Sequence, residues 1–372
     1  MLKLSLAKEL LVEPLSALNS IAQTKQTLAI LSNVLINVRS NKIKFTSTDL
    51  ELELTIEIDY ESQFESDFTI PCRKLFDIIR NLPDGSMVNF SFKDGKVIIT
   101  SGKSRFVLST LPAENFPNLD PIESASEFTV KSIDLKLSIE NTEFCMATKD
   151  VRYYLNGLLL EISEDTLKTV ATDGHRLAFY ESEQIYNLNE IPENSKLQFL
   201  IPRKTILELL KILDDSEKEV KIKVTPNFVK FSIGKTEFST KLIDSKFPEY
   251  RRVIPKVTNL SIPINRLELK ESLTRAAVLS TEKFKAIRLE FSKNNLLATI
   301  HNPEHEEAEE EMVIAYEGEN FSIGFNVNYL VDVLSRVKDE QIIFNFTESY
   351  NSCLLYGNSK ENPVYVVMPM RL

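Results

Sequence analysis

The sequence predicts an α+β protein made of three copies of one unit, each with two helices packed on antiparallel sheets. Three observations carry this reading. At 372 residues the chain exceeds one ordinary core and suits two or three domains. A helix-like segment recurs three times, and short alternating strands fill the intervals between its copies. The recurrence interval lies far above the roughly 20 to 50 residues of solenoid repeats, so the units are domains rather than solenoid turns.

The elements follow one order in each copy. The first unit opens on a helix around Glu13 to Ala22, continues through strands at Lys42 to Thr48 and Glu51 to Ile58, and reaches PCRKLFDIIRNLP, Pro71 to Pro83. That segment places apolar residues at helical spacing behind a proline near the first turn, and a strand at Val97 to Ser101 follows. The second unit has a helix from Asp134 to Met146, a strand at Leu167 to Ala171, the matching IPRKTILELLKILDD (Ile201 to Asp215) and a strand at Val229 to Ile233. The third has a helix from Arg266 to Leu279, then NVNYLVDVLSRVKDE (Asn326 to Glu340) and a strand at Gln341 to Phe346. Two more sets keep the order. FTSTDLELEL from Phe45, VATDGHRLAFY from Val170 and LATIHNPEHEEAEEEM from Leu297 form one, and STLPAENFPN with STKLIDSKFPEY, both containing Phe-Pro, form the other. Each unit should hold about eight strands. Boundaries near residues 122 and 255 fall in the proline-containing polar stretches NFPNLDPIESASE and RRVIPKVTNLSIP, which divides the chain into 1–122, 123–255 and 256–372.

Composition excludes several classes. Apolar residues make up 43% and charged residues 26%, as in folded domains, so disorder is not expected. No apolar run reaches the roughly 18 residues of a membrane helix, and MLKLSLAKELLVEPL carries acids where a leader peptide would be apolar, so a cytoplasmic location without membrane contact is expected. Cys72, Cys145 and Cys353 are odd in number, far apart and without a CxxC pair, which predicts reduced, packed thiols rather than disulfides or a zinc site. A net charge of −10 opposes nucleic-acid binding unless the charges are segregated. Segregation is visible in two repeated helices: Arg73, Lys74 and Arg80 oppose only Asp77, and Arg203, Lys204 and Lys211 oppose only Glu208. The expectation is basic helices, with the acids on loops and strands.

Catalytic signals are weak. SGKSRF (Ser101 to Phe106) ends like a phosphate loop but has Val97 where the pattern needs glycine. His301 and His305 have Pro303 between them and no HExxH, which disfavours a metal site. Asp173, His175 and Arg176 surround Gly174 without a nucleophile motif and read as a polar-anchored turn on a binding surface. Nine glycines are too few for a dinucleotide fold. No catalytic residue, cofactor or metal is expected. The acidic run Glu304 to Glu311 could meet Lys74, Lys96, Lys103 and Arg105 of the first unit across a subunit contact.

DVRYYLNG (Asp150 to Gly157), VATDGHRLA (Val170 to Ala178) and the terminal YVVMPMRL, together with the SRF and LPAENFPN stretches near Arg105, FPEYRRV near Phe247 and NPEHEEAEE near Asn302, resemble the bacterial sliding clamp along the whole chain. The resemblance implies three clamp-type domains per chain and a head-to-tail homodimeric ring whose helices line a hole for duplex DNA. It also implies a processivity factor that tethers the replicative polymerase, the clamp loader and other clamp-binding-motif proteins. Topology would hold such a ring on DNA, so its lumen needs only mild positive charge and no base reading.

Residue by residue, the resemblance carries DNA contact onto Lys25, Arg73, Lys149, Tyr153 and Tyr154, with Lys25 and Lys149 departing from the family's usual Arg and Gln. A partner-peptide groove falls on Leu155, Thr172, Gly174, His175, Arg176 and Leu177, on Pro248, Arg252 and Val253, and on Ser352, Val366, Val367, Met368, Pro369, Met370 and Arg371. Its Met, Val and Leu side chains suit many related peptides because methionine adapts its shape. The dimer contact is expected to pack Phe106 and Leu108 on Val278 and Leu279, with Lys74, Lys96, Lys103 and Arg105 facing Glu304, Glu306, Glu307, Glu309 and Glu310. A non-encircling scaffold that binds peptides only, and a hydrolase using His175, are the alternatives.

Overall fold

A computed structural model describes residues 3–22, 28–93, 95–117, 119, 126–163, 166–182, 186–189, 196–256, 259–281, 284–358 and 362–371. One strand–helix–strands–helix–strands order occurs three times. The first copy comprises β1 (Lys3–Ala7), α1 (Glu9–Ile21), β2 (Asn33–Arg39), β3 (Lys42–Thr48), β4 (Leu52–Asp59), β5 (Ser66–Pro71), α2 (Cys72–Arg80), β6 (Met87–Lys93), β7 (Lys96–Ser101) and β8 (Ser104–Ser109). The second comprises β9 (Ser126–Lys131), α3 (Ser132–Glu140), β10 (Gly157–Ser163), β11 (Thr166–Thr172), β12 (Arg176–Ser182), β13 (Tyr186–Asn189), β14 (Leu197–Pro202), α4 (Arg203–Ile212), β15 (Glu219–Val224), β16 (Phe228–Ile233) and β17 (Thr236–Lys241). The third comprises β18 (Leu260–Asn265), α5 (Arg266–Ala276), β19 (Ala286–Ser292), β20 (Asn295–His301), β21 (Glu307–Val313), β22 (Phe321–Asn326), α6 (Val327–Arg336), β23 (Gln341–Phe346), β24 (Cys353–Tyr356) and β25 (Val364–Val367).

Local chemistry explains the helix limits. The side chains of Asn265 and Asn326 accept backbone N–H groups of Glu268 and Asn328, which caps α5 and α6. The α3 helix stops at Glu140, well short of the expected Met146, because the Thr142 hydroxyl donates to the Ser138 carbonyl and the Asn141 amide donates to the Leu137 carbonyl. Such back-bonding competes with helix extension. α5 likewise ends at Ala276, and residues 277–279 form a tighter 3-10 turn.

The chain forms two compact units, Met1–Leu135 with Ile185–Pro192 and Leu207–Leu242, and Lys136–Gln184 with Glu193–Ile206 and Ile243–Leu372. The first unit holds a four-stranded sheet, β1-β6-β7-β8, and a nine-stranded one, β13-β9-β15-β16-β17-β4-β3-β2-β5. In the nine-stranded sheet β17 pairs with β4, from Thr236 opposite Ile56 to Thr240 opposite Leu52, so the first and second copies share one sheet. The second unit holds an eight-stranded sheet, β14-β10-β11-β12-β25-β24-β23-β18, and a four-stranded one, β21-β20-β19-β22. Here β12 pairs with β25 from Arg176 opposite Val367 to Phe179 opposite Val364, joining the second and third copies. Both four-stranded sheets end on strands open along one side, β8 and β21.

The charge pattern departs from the expectation. α2 and α4 carry the predicted cations, but α1 has Glu9 and Glu13 without Lys or Arg, and α3 sets Asp134 and Glu140 against Lys136. The strands are not simply acidic either. Lys221 and Lys223 pair with Glu127 at 2.6 and 3.1 Å, and Lys230 pairs with Glu237 at 2.8 Å, which are cross-strand pairs of the kind that stabilise a solvated sheet face.

All three cysteines are buried, and burial pushes the Cys72 thiol up to about 12. Each therefore stays a neutral thiol at physiological pH. Gly102, at a φ of +56°, sits in the tight turn joining β7 to β8, which is the structural role of the Gly-Lys-Ser sequence. Among the described residues no cluster of His, Cys, Asp and Glu could hold a metal ion, and no helix is long and apolar enough to cross a membrane.

Candidate peptide groove and interaction surfaces

The groove begins at the turn between β11 and β12. Asp173 Oδ1 accepts the backbone N–H groups of His175 and Arg176 at 2.9 and 3.0 Å, while Thr172 Oγ1 donates to the Arg176 carbonyl and accepts from Gly174. Gly174 adopts a φ of +89°, and a Cβ there would lie 3.1 Å from the Arg152 guanidinium, so only glycine fits without strain. The segment after β25 is tied to the same turn, because the Met368 N–H donates to the His175 carbonyl at 2.8 Å.

These elements enclose a cavity of about 150 Å³ lined by Leu155, Thr172, Gly174, His175, Arg176, Leu177, Pro248, Val253, Val366 and Met368. Leu155, Leu177 and Val366 form a buried apolar floor, while the half-exposed Val253 and Met368 line the rim. Beneath the floor, Leu159, Val170, Leu200, Phe247, Tyr250 and Tyr356 pack in one core cluster with Leu177 and Val366. Two more lining residues, Arg152 and Tyr154, lie in the DVRYYLNG stretch. Arg152 holds Asp150 through two bonds of 3.0 Å and keeps that carboxyl down at about 2.

Six expected groove residues lie off this cavity. Val367 is fully buried on the opposite face of β25, as the two-residue alternation of a strand requires. Arg252 is exposed and Ser352 half-buried, and neither lines the cavity. Pro369, Met370 and Arg371 line a second cavity, of about 440 Å³.

Two polar networks brace the walls. The Arg176 guanidinium donates to Asp173, to Asp332 at 2.5 Å and to the Phe144 carbonyl at 2.6 Å, and it lies 4.3 Å from the centre of the Tyr329 ring. Burial, with the Asp173 charge next, pushes the Tyr329 phenol up to about 12, so it stays neutral. The buried Glu161 carboxylate accepts from Arg251 at 2.9 Å and Gln198 at 2.6 Å, which anchors the turn leading to Val253. Tyr329, Asp332 and Glu161 escaped sequence reasoning because ordinary helix and strand positions gave no local signal.

Among the expected DNA contacts, Lys25 lies outside the described residues. Arg73 is exposed on α2, 3.8 Å from Asp77. Lys149 is exposed at a φ of +59°, and the neighbouring Tyr153 is 76% exposed. Tyr154 instead turns its ring into the groove.

The expected dimer residues fall on the two open edges and their surroundings. On β8 the exposed Arg105 and Val107 share one face, while Phe106 and Leu108 share the other with the buried Val97 and Ile99 of β7. Lys96 and Lys103 are exposed on the same hairpin, and Lys74 is exposed on α2. On β21 Glu307, Glu309 and Glu311 face outward, and the outward-facing Val313 is 83% exposed. Glu310 takes the other face, where it accepts from Arg275 of α5 at 2.5 and 2.8 Å. Glu306 closes its turn with Asn302, Glu304 is exposed in that turn, and Val278 and Leu279 follow α5.

Three copies of one α+β unit, joined through shared antiparallel sheets and carrying an apolar groove, define a clamp-type binding protein. Models of the N-terminal, central and C-terminal domains of the DNA polymerase III beta subunit match residues 2–120, 129–249 and 251–371. The chain is 40% identical to the beta sliding clamp of Pseudomonas aeruginosa over 369 residues, 99% of each chain, and 40% identical to that of Escherichia coli K12 over 372 residues, all of both. Its fold matches a crystal structure of the Pseudomonas aeruginosa sliding clamp bound to griselimycin with a TM-score of 0.92, at 40% identity, covering 100% of this chain and 99% of that one. The chain belongs to the DNA polymerase III beta subunit family, the bacterial beta sliding clamps. It is a replication processivity factor and not an enzyme.

Proposed function

We propose that two copies close a ring around duplex DNA in the cytoplasm by pairing β8 of each with β21 of the other. The sheet topology carries this reading. β8, β17 and β25 are the last strands of the three copies, and β4, β12 and β21 hold equivalent places. β17 pairs with β4 and β25 pairs with β12, so the same rule leaves β8 to pair with β21 of a second chain. The faces agree with that pairing. Arg105 would meet the outward Glu307, Glu309 and Glu311, and Phe106 and Leu108 would meet Val278 and Leu279 on the helix side. Burying both open edges also removes a site for uncontrolled strand addition. The exposed charge pairs contribute only about 0.2 to 1 kcal/mol each, so they set register while the apolar centre supplies most of the stability.

Under this reading the domains run 1–122, 123–255 and 256–372, and each compact unit takes part of the middle domain because its strands are shared with both neighbours. Lys25, Arg73, Lys149 and Tyr153 touch DNA. The cavity between Leu155, Leu177, Val253 and Val366 takes the hydrophobic end of peptides from polymerase, clamp loader and related partners; the griselimycin complex of a relative supports a ligand-binding role for this fold. Sedimentation should give twice the mass of one chain at micromolar concentration. A monomer there would contradict the edge pairing and favour the non-encircling scaffold.

A further inference from the structure

A cavity of about 200 Å³ lies between α1 and the last residues of α4, within the first compact unit. Ala17, Ile21, Leu54 and Ile212 give it an apolar wall, and Glu13, Ser20, Glu208 and Lys211 give it a polar one. Ser20 Oγ donates to Glu208 Oε2 at 2.6 Å, and Lys211 Nζ donates to Glu208 Oε1 at 2.8 Å. Two carboxylates thus line the cavity with one ammonium. A space of about 150 Å³ between apolar side chains already admits a benzene ring, so this cavity is roomy enough for one.

The second compact unit shows what such a junction holds when it is filled. β2, β3, β4 and α4 start one constant interval before β10, β11, β12 and α6, so Ser20, Glu208 and Ile212 correspond to Phe144, Asp332 and Arg336. The turn chemistry keeps that register: Asp49 Oδ1 accepts the N–H groups of Glu51 and Leu52 as Asp173 Oδ1 accepts those of His175 and Arg176. At the second junction two guanidinium groups flank the Phe144 ring, Arg176 at 5.4 Å and Arg336 at 5.7 Å from its centre. Such contacts are attractive, and acids complete them: Asp332 accepts from Arg176 at 2.5 Å and Glu143 accepts from Arg336 at 2.6 Å. At the first junction the acid remains as Glu208, but Ser20 stands for Phe144, Leu52 for Arg176 and Ile212 for Arg336. Asn19, in the place of Glu143, keeps its side-chain oxygen buried without a hydrogen-bond partner among the described residues. The cavity is the space of a missing ring and its cation.

We propose that the cavity between α1 and α4 is a binding site for a small aryl cation, a planar amidinium or guanidinium carried on one aromatic ring, which supplies from outside what Phe144 and Arg336 supply to the second junction. The ring lies against Ala17, Ile21 and Leu54, and the cation pairs with Glu208 and Glu13. A planar cation meets a carboxylate through two parallel N–H donors, a match that the compact ammonium of Lys211 does not provide. An anionic ligand, phosphate included, would face two like charges there.

The test titrates benzamidine and its neutral counterpart benzamide against the full-length chain by ligand-observed NMR. Benzamidine should bind with a Kd on the order of 0.1 to 1 mM, as its few heavy atoms allow, and benzamide at least about tenfold more weakly. Glu208→Gln should weaken benzamidine by about fivefold or more and leave benzamide unchanged. Ser20→Phe, which rebuilds the ring of the second junction, should abolish binding of both compounds. Ala17→Leu fills the same space and should act alike, so the test stands even where Ser20→Phe does not fold. Equal affinity for the two compounds overturns the cationic ligand. Benzamidine binding that survives both Glu208→Gln and the filled cavity overturns the site, and loss on Val366→Asp instead assigns the compound to the peptide groove. Absence of binding at about 10 mM overturns the proposal altogether.

Discussion

Leu279→Asp should convert the dimer into monomers at micromolar concentration. Leu279 follows α5 and is half-exposed in the single chain, and the neighbouring Val278 is 80% exposed, a poor arrangement for two large apolar residues in water. Pairing β8 with β21 of a second copy would cover both with Phe106 and Leu108. A carboxylate placed there would be desolvated among Phe106, Leu108 and Val278, with Arg105 on the opposite sheet face and Arg275 already held by Glu310. The expected cost is about 3 to 5 kcal/mol, or at least a hundredfold in dimer dissociation, without a change in the fold of one chain. A variant that still sediments as a dimer would place the interface elsewhere.

Removing residues 368–372 should abolish peptide binding and leave the dimer intact. The deletion takes away Met368, a rim residue of the groove, together with its bond to the turn at His175, and it strips Pro369 to Arg371 from the neighbouring cavity. β25 ends at Val367 and keeps its pairing with β12 and β24, so the sheet survives. The deletion removes one wall of the groove and the turn's tether together, and a combined loss of about 2 kcal/mol or more lowers affinity by at least about thirtyfold. Unchanged affinity in a titration would remove the groove from this face.

Repetition made much of the fold legible. A helix such as α2, with Cys72, Leu75 and Ile79 buried on one stripe, announces itself by its period, and β3 and β23 run where alternation puts them. The joining of copies through β17 to β4 and β12 to β25 was not legible, because a long-range strand pairing leaves no mark in either strand alone. The groove was partly legible. Its turn at Gly174 follows from local chemistry, but the assignment of Tyr154 to the cavity and of Val367 to the core depends on which way each side chain points from its backbone. The helices also proved less uniformly basic than α2 and α4 suggested, since α1 carries only acids.

The most direct test of the ring is retention on DNA of different topology. Loaded by its matching loader onto circular duplex, the protein should survive a salt wash that strips ordinary phosphate binders, and it should leave once the circle is cut. Changing Lys25, Arg73, Lys149 and Tyr153 to Ala should slow loading but keep that retention, because closure rather than contact holds the ring. Departure from circular and linear DNA at equal rates would contradict encirclement and identify surface electrostatics as the source of binding.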